Sequence, residues 1–107
     1  MQDFDETIER LYRNDTEFKE LNLYNNIIGE SGAEKLADAL KVNNTLQILI
    51  ILYNYFGDSG VEKLADALKI NKTLQELIIC RNNIGSSGAK KFANVMKVNT
   101  SLREIFL

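Results

Sequence analysis

The chain has 107 residues, 45% of them hydrophobic and 26% charged, which is the composition of one ordinary globular domain. No stretch reaches the roughly 18 apolar residues of a membrane span, and the acidic first residues lack the basic and apolar regions of a secretion signal. The net charge of −2 gives no drive toward nucleic acid, and the single cysteine, Cys80, cannot form an internal disulfide. Together these features predict a cytoplasmic protein.

The first predicted element is an amphipathic helix over residues 3–14. Phe4, Ile8 and Leu11 recur at i, i+4 and i+7, and the acidic residues come early, where the helix dipole favours them. We therefore expect residues 1–16 to form an N-terminal capping helix for the segments that follow.

A repeat of 28 residues occupies the rest of the chain. It opens with a nearly continuous apolar segment, clearest at residues 46–54, which is typical of a strand buried on both faces of a parallel sheet. Three full repeats follow one another, and a last segment supplies only a strand: residues 17–44, 45–72, 73–100 and 101–107. The four segments and the capping helix are predicted to form a single domain, residues 1–107.

Each full repeat continues into a predicted helix with apolar residues at i, i+3, i+4 and i+7. In the last helix we expect four such residues to pack in the core: Ala89, Phe92, Ala93 and Met96. The predicted N-caps are serines, the first two in capping boxes: Ser31, Ser59 and Ser87. Glycines recur around them and are expected to provide positive φ: Gly29, Gly32, Gly57, Gly60, Gly85 and Gly88.

Strand, helix and next parallel strand, repeated in this way, predict an α/β solenoid with right-handed connections. Strands stand about 4.8 Å apart whereas neighbouring helices need roughly 10 Å, so the stack must curve into a short horseshoe arc. The sheet lies on the concave side and the helices lie on the convex side. One asparagine follows each strand, and we expect these amides to form a buried structural ladder: Asn26, Asn54 and Asn82.

The pattern Leu-x-x-Leu-x-Leu-x-x-Asn-x-Ile with a following helix resembles the leucine-rich repeat over residues 16–107, in its ribonuclease-inhibitor-like class. A narrower resemblance is to the tropomodulin repeat domain, since residues 8–15 and 20–26 look like its opening and residues 68–74 look like a later segment. The first resemblance implies a protein-binding horseshoe. The second implies a cytoskeletal partner, because tropomodulins cap the pointed ends of actin filaments.

In such a repeat, alternate strand side chains point to the concave face. In the second to fourth strands most of these residues are apolar, and contiguous exposed apolar area marks an interaction surface. Preference of strands for isoleucine, or contact with another copy of the chain, would also select apolar residues here. We predict a protein-binding surface, named the concave site, that consists of Glu20, Asn22, Tyr24, Ile48, Ile50, Leu52, Tyr53, Glu76, Ile78, Cys80, Arg81, Glu104 and Phe106.

Lysines in register on the predicted helices offer a second surface, which could meet nucleic acid or an anionic membrane. Acidic residues interleave with the first of these lysines, Lys35, Lys63 and Lys91, and no aromatic platform accompanies them. We therefore predict a solvated convex face, with neither nucleic acid nor membrane as a partner.

Catalysis has little support in the sequence. The chain has no histidine, so Cys80 lacks an imidazole partner, and no phosphate-binding loop is present. We expect no enzymatic activity, no cofactor and no metal.

The last predicted strand would present an open edge, and the charge differs between the two ends of the chain. Residues 1–20 carry a net charge of −4, whereas residues 81–107 carry a net charge of +4. We expect the chain to continue past this edge or a partner to cover it, and one candidate is a homodimer through the C-terminal strand or the concave face.

These observations predict a non-catalytic protein–protein interaction module that binds a protein through its concave face. A tropomodulin-like regulator of actin and the cytoskeleton is the alternative. Regulation of a small GTPase, by analogy with the Ran GTPase activator of the same repeat class, is a third hypothesis.

Overall fold

The computed structural model describes residues 3–24, 28–80, 82 and 84–107. Helices and strands alternate through these residues: α1 (Phe4–Tyr12), β1 (Glu20–Asn22), α2 (Gly29–Val42), β2 (Ile48–Ile50), α3 (Gly57–Leu68), β3 (Glu76–Ile78), α4 (Ser86–Val98) and β4 (Glu104–Phe106). Among the described helices, none combines the length and the apolar character needed to cross a membrane.

The strands form one parallel sheet in the order β1-β2-β3-β4. Their register is constant, since Leu21 pairs with Leu49, Leu49 with Leu77 and Leu77 with Ile105. Each partner lies 28 residues further along the chain. Equivalent positions of successive repeats therefore stand side by side, and their side chains form rows that run across the sheet. The predicted α/β leucine-rich-repeat architecture is confirmed.

The core lies between the sheet and the helices. Leu21, Leu49 and Leu77 are fully buried beneath the helices, and leucines and alanines of α2 and α3 pack against them. Burial of one leucine side chain contributes roughly 1.5–3 kcal/mol, so these rows are a main source of stability.

Helix α4 departs from its predicted core face. Phe92 and Val95 are buried, but Ala93 is exposed and Met96 is 40% exposed. Helix α3 packs between α2 and α4, whereas α4 has a described helix neighbour on one side only. Fewer atoms therefore cover α4, and the prediction that Ala93 and Met96 belong to the core is wrong.

The starts of α2 and α3 are set by the next repeat. The helices begin at Gly29 and Gly57, whose φ angles of +63° and +68° lie in the region that favours glycine. Their N–H groups donate to the carbonyl oxygens of Asn54 and Asn82, at 3.0 and 3.1 Å. No side chain caps either helix, so the predicted serine caps are wrong, because the serines already lie inside the first turn.

Helix α4 starts differently. Gly85 is extended, with φ of −87°, so the prediction of positive φ is wrong at this residue. The Gly85 N–H donates to Oδ1 of Asp58 in the preceding helix, at 3.1 Å, so the chain enters α4 along another path. The prediction is also wrong at Gly32, Gly60 and Gly88, which lie inside helices, and among these glycines, all of them described, only Gly29 and Gly57 have positive φ.

Gly60 allows α2 and α3 to approach each other. A Cβ atom at this position would lie 2.9 Å from Cβ of Ala33 and 3.3 Å from Cβ of Phe56. Both distances are shorter than ordinary carbon–carbon contacts of about 3.5–4.0 Å, so the missing side chain is what permits this spacing.

A ladder of buried amides joins the repeats where the strands end. Asn54 Nδ2 donates to the carbonyl oxygens of Leu23 and Leu52, and Asn82 Nδ2 donates to that of Ile51 at 2.7 Å. The Asn54 N–H donates in turn to Asn82 Oδ1 at 2.9 Å. These two amides satisfy loop backbone across repeat boundaries, whereas Asn26 lies outside the described residues.

A second ladder, not predicted from the sequence, lies where the helices end; its members are Asn43, Asn71 and Asn99. Each Nδ2 donates to a carbonyl oxygen of the preceding helix: Leu11 at 3.0 Å, Leu40 at 2.8 Å and Leu68 at 2.6 Å. Each Oδ1 accepts from the two backbone N–H groups that open the next strand segment. One side chain therefore caps a carbonyl group of the preceding helix and holds the start of the next strand segment, and so it joins two repeats.

A cluster of three side chains fastens α1 to the first strand. Arg10 Nε donates to Asp15 Oδ2 at 2.6 Å, and the guanidinium lies 4.2 Å above the ring centre of buried Phe18. Asp15 also accepts from the Glu17 N–H at 3.0 Å. The bond from Arg10 is the main cause and the bond from Glu17 the second, and both lower the pKa of the Asp15 carboxyl.

Candidate protein-binding site

The geometry of the concave site begins with the alternation of side chains in the strands. Ile48, Ile50 and Ile78 are partly exposed, whereas Leu49 and Leu77 between them are completely buried. The three isoleucines thus lie on the face of the sheet that the helices do not cover.

The strand register arranges this face in two rows. The first row is mainly acidic: Glu20, Ile48, Glu76 and Glu104. The second row is mainly apolar: Asn22, Ile50, Ile78 and Phe106. Because adjacent strands stand about 4.8 Å apart, Ile78 has Ile50 and Phe106 as direct neighbours on its two sides. We call these three residues the apolar strip.

Two tyrosines lie beyond the apolar strip, where β1 and β2 end. The rings of Tyr24 and Tyr53 meet edge to face, with centroids 5.6 Å apart and planes at 75°. Such pairs contribute about 0.5–1.5 kcal/mol beyond their buried area, so the two exposed rings hold each other in a fixed orientation.

Leu52 and Cys80 continue the face beside these rings. Both side chains are half-buried, and the Cys80 thiol donates to the Phe106 carbonyl oxygen at 3.6 Å. The thiol therefore ties β4 to the end of β3. Arg81, the remaining member of the predicted site, lies outside the described residues.

Tyr55 is missing from the predicted site, but it follows Tyr53 by two residues in the loop after β2. Its side chain is 56% exposed, and both Tyr53 and Tyr55 have positive φ, +59° and +56°. A residue other than glycine in this region costs of order 1–3 kcal/mol, and such residues cluster at ligand clamps and binding loops. The sequence signal was a second aromatic next to Asn54, but its backbone conformation cannot be read from residue types.

The carboxylates of the first row do not form a metal site. Within residues 3–24, 28–80, 82 and 84–107, no three His, Cys, Asp or Glu side chains are placed to hold a metal ion together. The chemistry of this face is therefore that of a surface with an apolar centre and an acidic border.

Ion pairs between repeats organise the helical face. Lys63 Nζ donates to Glu34 Oε2 at 2.8 Å, and Lys91 lies 3.6 Å from Glu62. The bond between Glu34 and Lys63 lowers the pKa of the carboxyl and raises the pKa of the ammonium. Two of the three lysines in the predicted stripe are thus neutralised locally.

Comparison with known proteins identifies relatives of this architecture. A family model described as the TMOD/LMOD leucine-rich domain matches residues 1–107. Among curated protein sequences, none matches the chain.

Solved structures that share the fold include a leiomodin domain and a tropomodulin domain. One, named leiomodin-1 actin-binding site 2, superposes with a TM-score of 0.91 at 27% identity and covers 98% of this chain and 61% of that one. A tropomodulin C-terminal domain from Caenorhabditis elegans gives a TM-score of 0.71 over 99% of this chain and 83% of that one, and at 16% identity it shows the fold alone. The present chain therefore spans less than two thirds of the leiomodin-1 structure. The resemblance to the tropomodulin repeat domain is confirmed, and the chain belongs to the tropomodulin/leiomodin leucine-rich domain family.

Proposed function

We propose that this domain is a non-catalytic actin-binding module of the tropomodulin/leiomodin type. The observation that carries the proposal is the likeness, over 98% of this chain, to the leiomodin-1 domain named as an actin-binding site. This proposal favours the cytoskeletal alternative over an unspecified protein partner. It also implies that the protein works in the cytoplasm, where actin filaments are.

The surface that we assign to actin is the concave site, with the apolar strip at its centre. Protein interfaces combine an apolar, aromatic-rich core with a polar rim. Ile50, Ile78 and Phe106 supply the apolar core, while the carboxylates of the first row supply one rim. Tyr24 and Tyr53 supply the residue type most often found in binding hot spots.

Capping or slowing of filament ends is the finer proposal. It rests on family membership. It is a further step than actin binding, because this chain spans only 61% of the leiomodin-1 structure and the activity of a whole protein can depend on residues outside this domain. Regulation of a small GTPase and a homodimer through β4 or the concave face stay predictions, and no feature of the described geometry favours either over actin binding.

The test uses a double variant of the apolar strip, Ile50→Asp with Ile78→Asp. We expect the wild-type domain to bind actin in a titration followed by fluorescence anisotropy, and the variant to bind at least about 30-fold more weakly, because hot-spot truncation costs about 2 kcal/mol or more. Pointed-end elongation of gelsolin-capped filaments then measures whether binding slows growth.

The matched control is Val42→Asp with Ile70→Asp, which makes the same charge change at two exposed apolar residues outside the concave site. Far-UV circular dichroism should show the same fold for all three proteins. Equal weakening by both variants would remove the concave site from the proposal, and no binding by the wild-type domain would reject actin as the partner.

A further inference from the structure

A groove of about 350 Å³ follows the opposite edge of the sheet, where the strands begin. Lys19, Gln47, Gln75 and Arg103 each directly precede a strand and form a third row at this edge. Backbone bonds of 2.8 Å hold the row together, since each N–H donates to the carbonyl oxygen of the previous member. The groove therefore crosses all four described strands.

The charge of this groove is of one sign. Its lining has three cations, Lys19, Lys72 and Arg103, and every other lining residue is an uncharged Asn, Gln, Ser or Thr. None of the three cations takes part in an ion pair with another described residue, whereas Lys63 and Lys91 on the helical face do. The lining of the groove is thus a local region of positive charge in a chain whose net charge is −2.

The surroundings of the groove define the path of a ligand. Glu76 and Glu104 line an adjoining depression together with Gln75 and Arg103. An anionic ligand is attracted into the groove and repelled from the acidic row of the concave site. It must therefore lie along the edge of the sheet and not across the concave face.

We propose that this groove binds an extended acidic segment of a partner protein. Lys19 and Arg103 are three strand spacings apart, about 14 Å, which is the length of roughly four extended residues. Alternate carboxylates of such a segment reach the three cations, while Gln47 and Gln75 offer amide groups to its backbone. The lining has no aromatic residue on which nucleic-acid bases could stack. This site is separate from the apolar strip and does not depend on actin binding.

The experiment measures fluorescence anisotropy of a short synthetic peptide that alternates Glu with Ser, and of its counterpart in which Gln replaces Glu. We expect the wild-type domain to bind the Glu peptide more tightly, with an affinity that falls as salt is added. The triple variant Lys19→Glu, Lys72→Glu, Arg103→Glu should bind about tenfold more weakly, because each exposed ion pair contributes a factor of about 1.4 to 5.

The control is Lys35→Glu, Lys90→Glu, Lys97→Glu, which makes the same charge change at three exposed lysines of the helical face. Retained binding by this control supports a local groove. Equal loss in both triple variants, or equal binding of the Glu and Gln peptides, overturns the proposal. Phosphatidylserine vesicles and a single-stranded RNA are tested separately as alternative ligands. If the domain binds either of them but does not bind the Glu peptide, the assignment of a protein segment is overturned.

Discussion

Asp15 lies at the junction between α1 and β1, where the capping helix meets the first strand. Its carboxylate accepts from the Arg10 side chain and from the Glu17 backbone, and Arg10 covers the Phe18 ring. The lowered pKa means that the folded protein favours the ionised form of this carboxyl. Its stabilising contribution is therefore fully present above the ordinary pKa of aspartate and is lost as the pH falls through the lower, folded-state pKa.

We predict that Arg10→Gln raises the pKa of Asp15 toward its ordinary value, since it removes the largest cause of the shift. The measurement is an NMR titration of the Asp15 carboxyl carbon in both proteins. Arg13→Gln is the matched control and should raise the pKa less, because Arg13 acts only through a weaker charge interaction. An unchanged pKa in Arg10→Gln would contradict the role given to this bond.

The contacts of Arg10 illustrate what residue types alone do not reveal. The apolar spacing of Phe4, Ile8 and Leu11 predicts the helix and its buried face. The cluster of Arg10, Asp15 and Phe18 depends on how the chain turns after the helix ends, and that turn has no repeat signature.

At the scale of elements, the spacing between helices depends on Gly60. In an ordinary helix, Gly→Ala stabilises by about 0.5–1 kcal/mol. Here the added Cβ would meet Cβ atoms of Ala33 and Phe56, which move only with their backbones, and overpacking typically costs about 1–3 kcal/mol.

We therefore predict that Gly60→Ala lowers the free energy of unfolding by about 1 kcal/mol or more. Urea unfolding followed by circular dichroism measures the change. Ser59→Ala, at the exposed neighbouring position in the same turn, should change this free energy by no more than about 0.5 kcal/mol. A gain of stability in Gly60→Ala would show that α2 and α3 are not in close contact here.

The helix starts show why a local motif can fail. Ser31 with Glu34 fits a capping box, but glycines at positive φ begin α2 and α3 two residues earlier, where carbonyl groups of the next repeat accept their N–H groups. A contact between repeats replaces the local cap. The capping-box pattern includes only residues close in sequence, so it cannot predict a contact with the next repeat.

At the scale of the whole molecule, the second asparagine ladder binds the repeats together. Asn71 is buried and makes two bonds to the preceding repeat, to the carbonyl oxygens of Leu40 and Asn43, while its Oδ1 accepts from the N–H groups of Thr73 and Leu74. Its removal leaves several buried backbone groups without a partner, and each such group costs about 1–3 kcal/mol.

We predict that Asn71→Ala lowers the free energy of unfolding by at least about 2 kcal/mol. Thermal and urea unfolding measure this change, and Asn44→Ala, at an exposed residue of the same loop type, is the control with an expected change within about 0.5 kcal/mol. If the two variants change the free energy of unfolding by similar amounts, water replaces the Asn71 amide without loss of stability.

The repeat period was sufficient to predict the parallel sheet, the buried leucine rows and the partly exposed isoleucines between them. It determines which side chains share a row, and two-residue alternation determines which face they occupy. The basic groove was also encoded in that period, at Lys19, Gln47, Gln75 and Arg103, but these positions lie at the edge of the strand pattern. Positive φ at Tyr53 and Tyr55 had no signal of this kind, because it results from the path of the loop.

The direction of the hydrogen bonds in the second ladder has a consequence for how such a domain can change its length. Asn71 and Asn99 each donate to the backbone carbonyl of the asparagine 28 residues before them. A tandem duplication of one unit would bring its own donor and would leave an acceptor of the same kind for its successor. The hydrogen bonds between repeats would then be the same before and after the duplication. Whole repeats can therefore be gained or lost in evolution without a new kind of contact between neighbouring repeats.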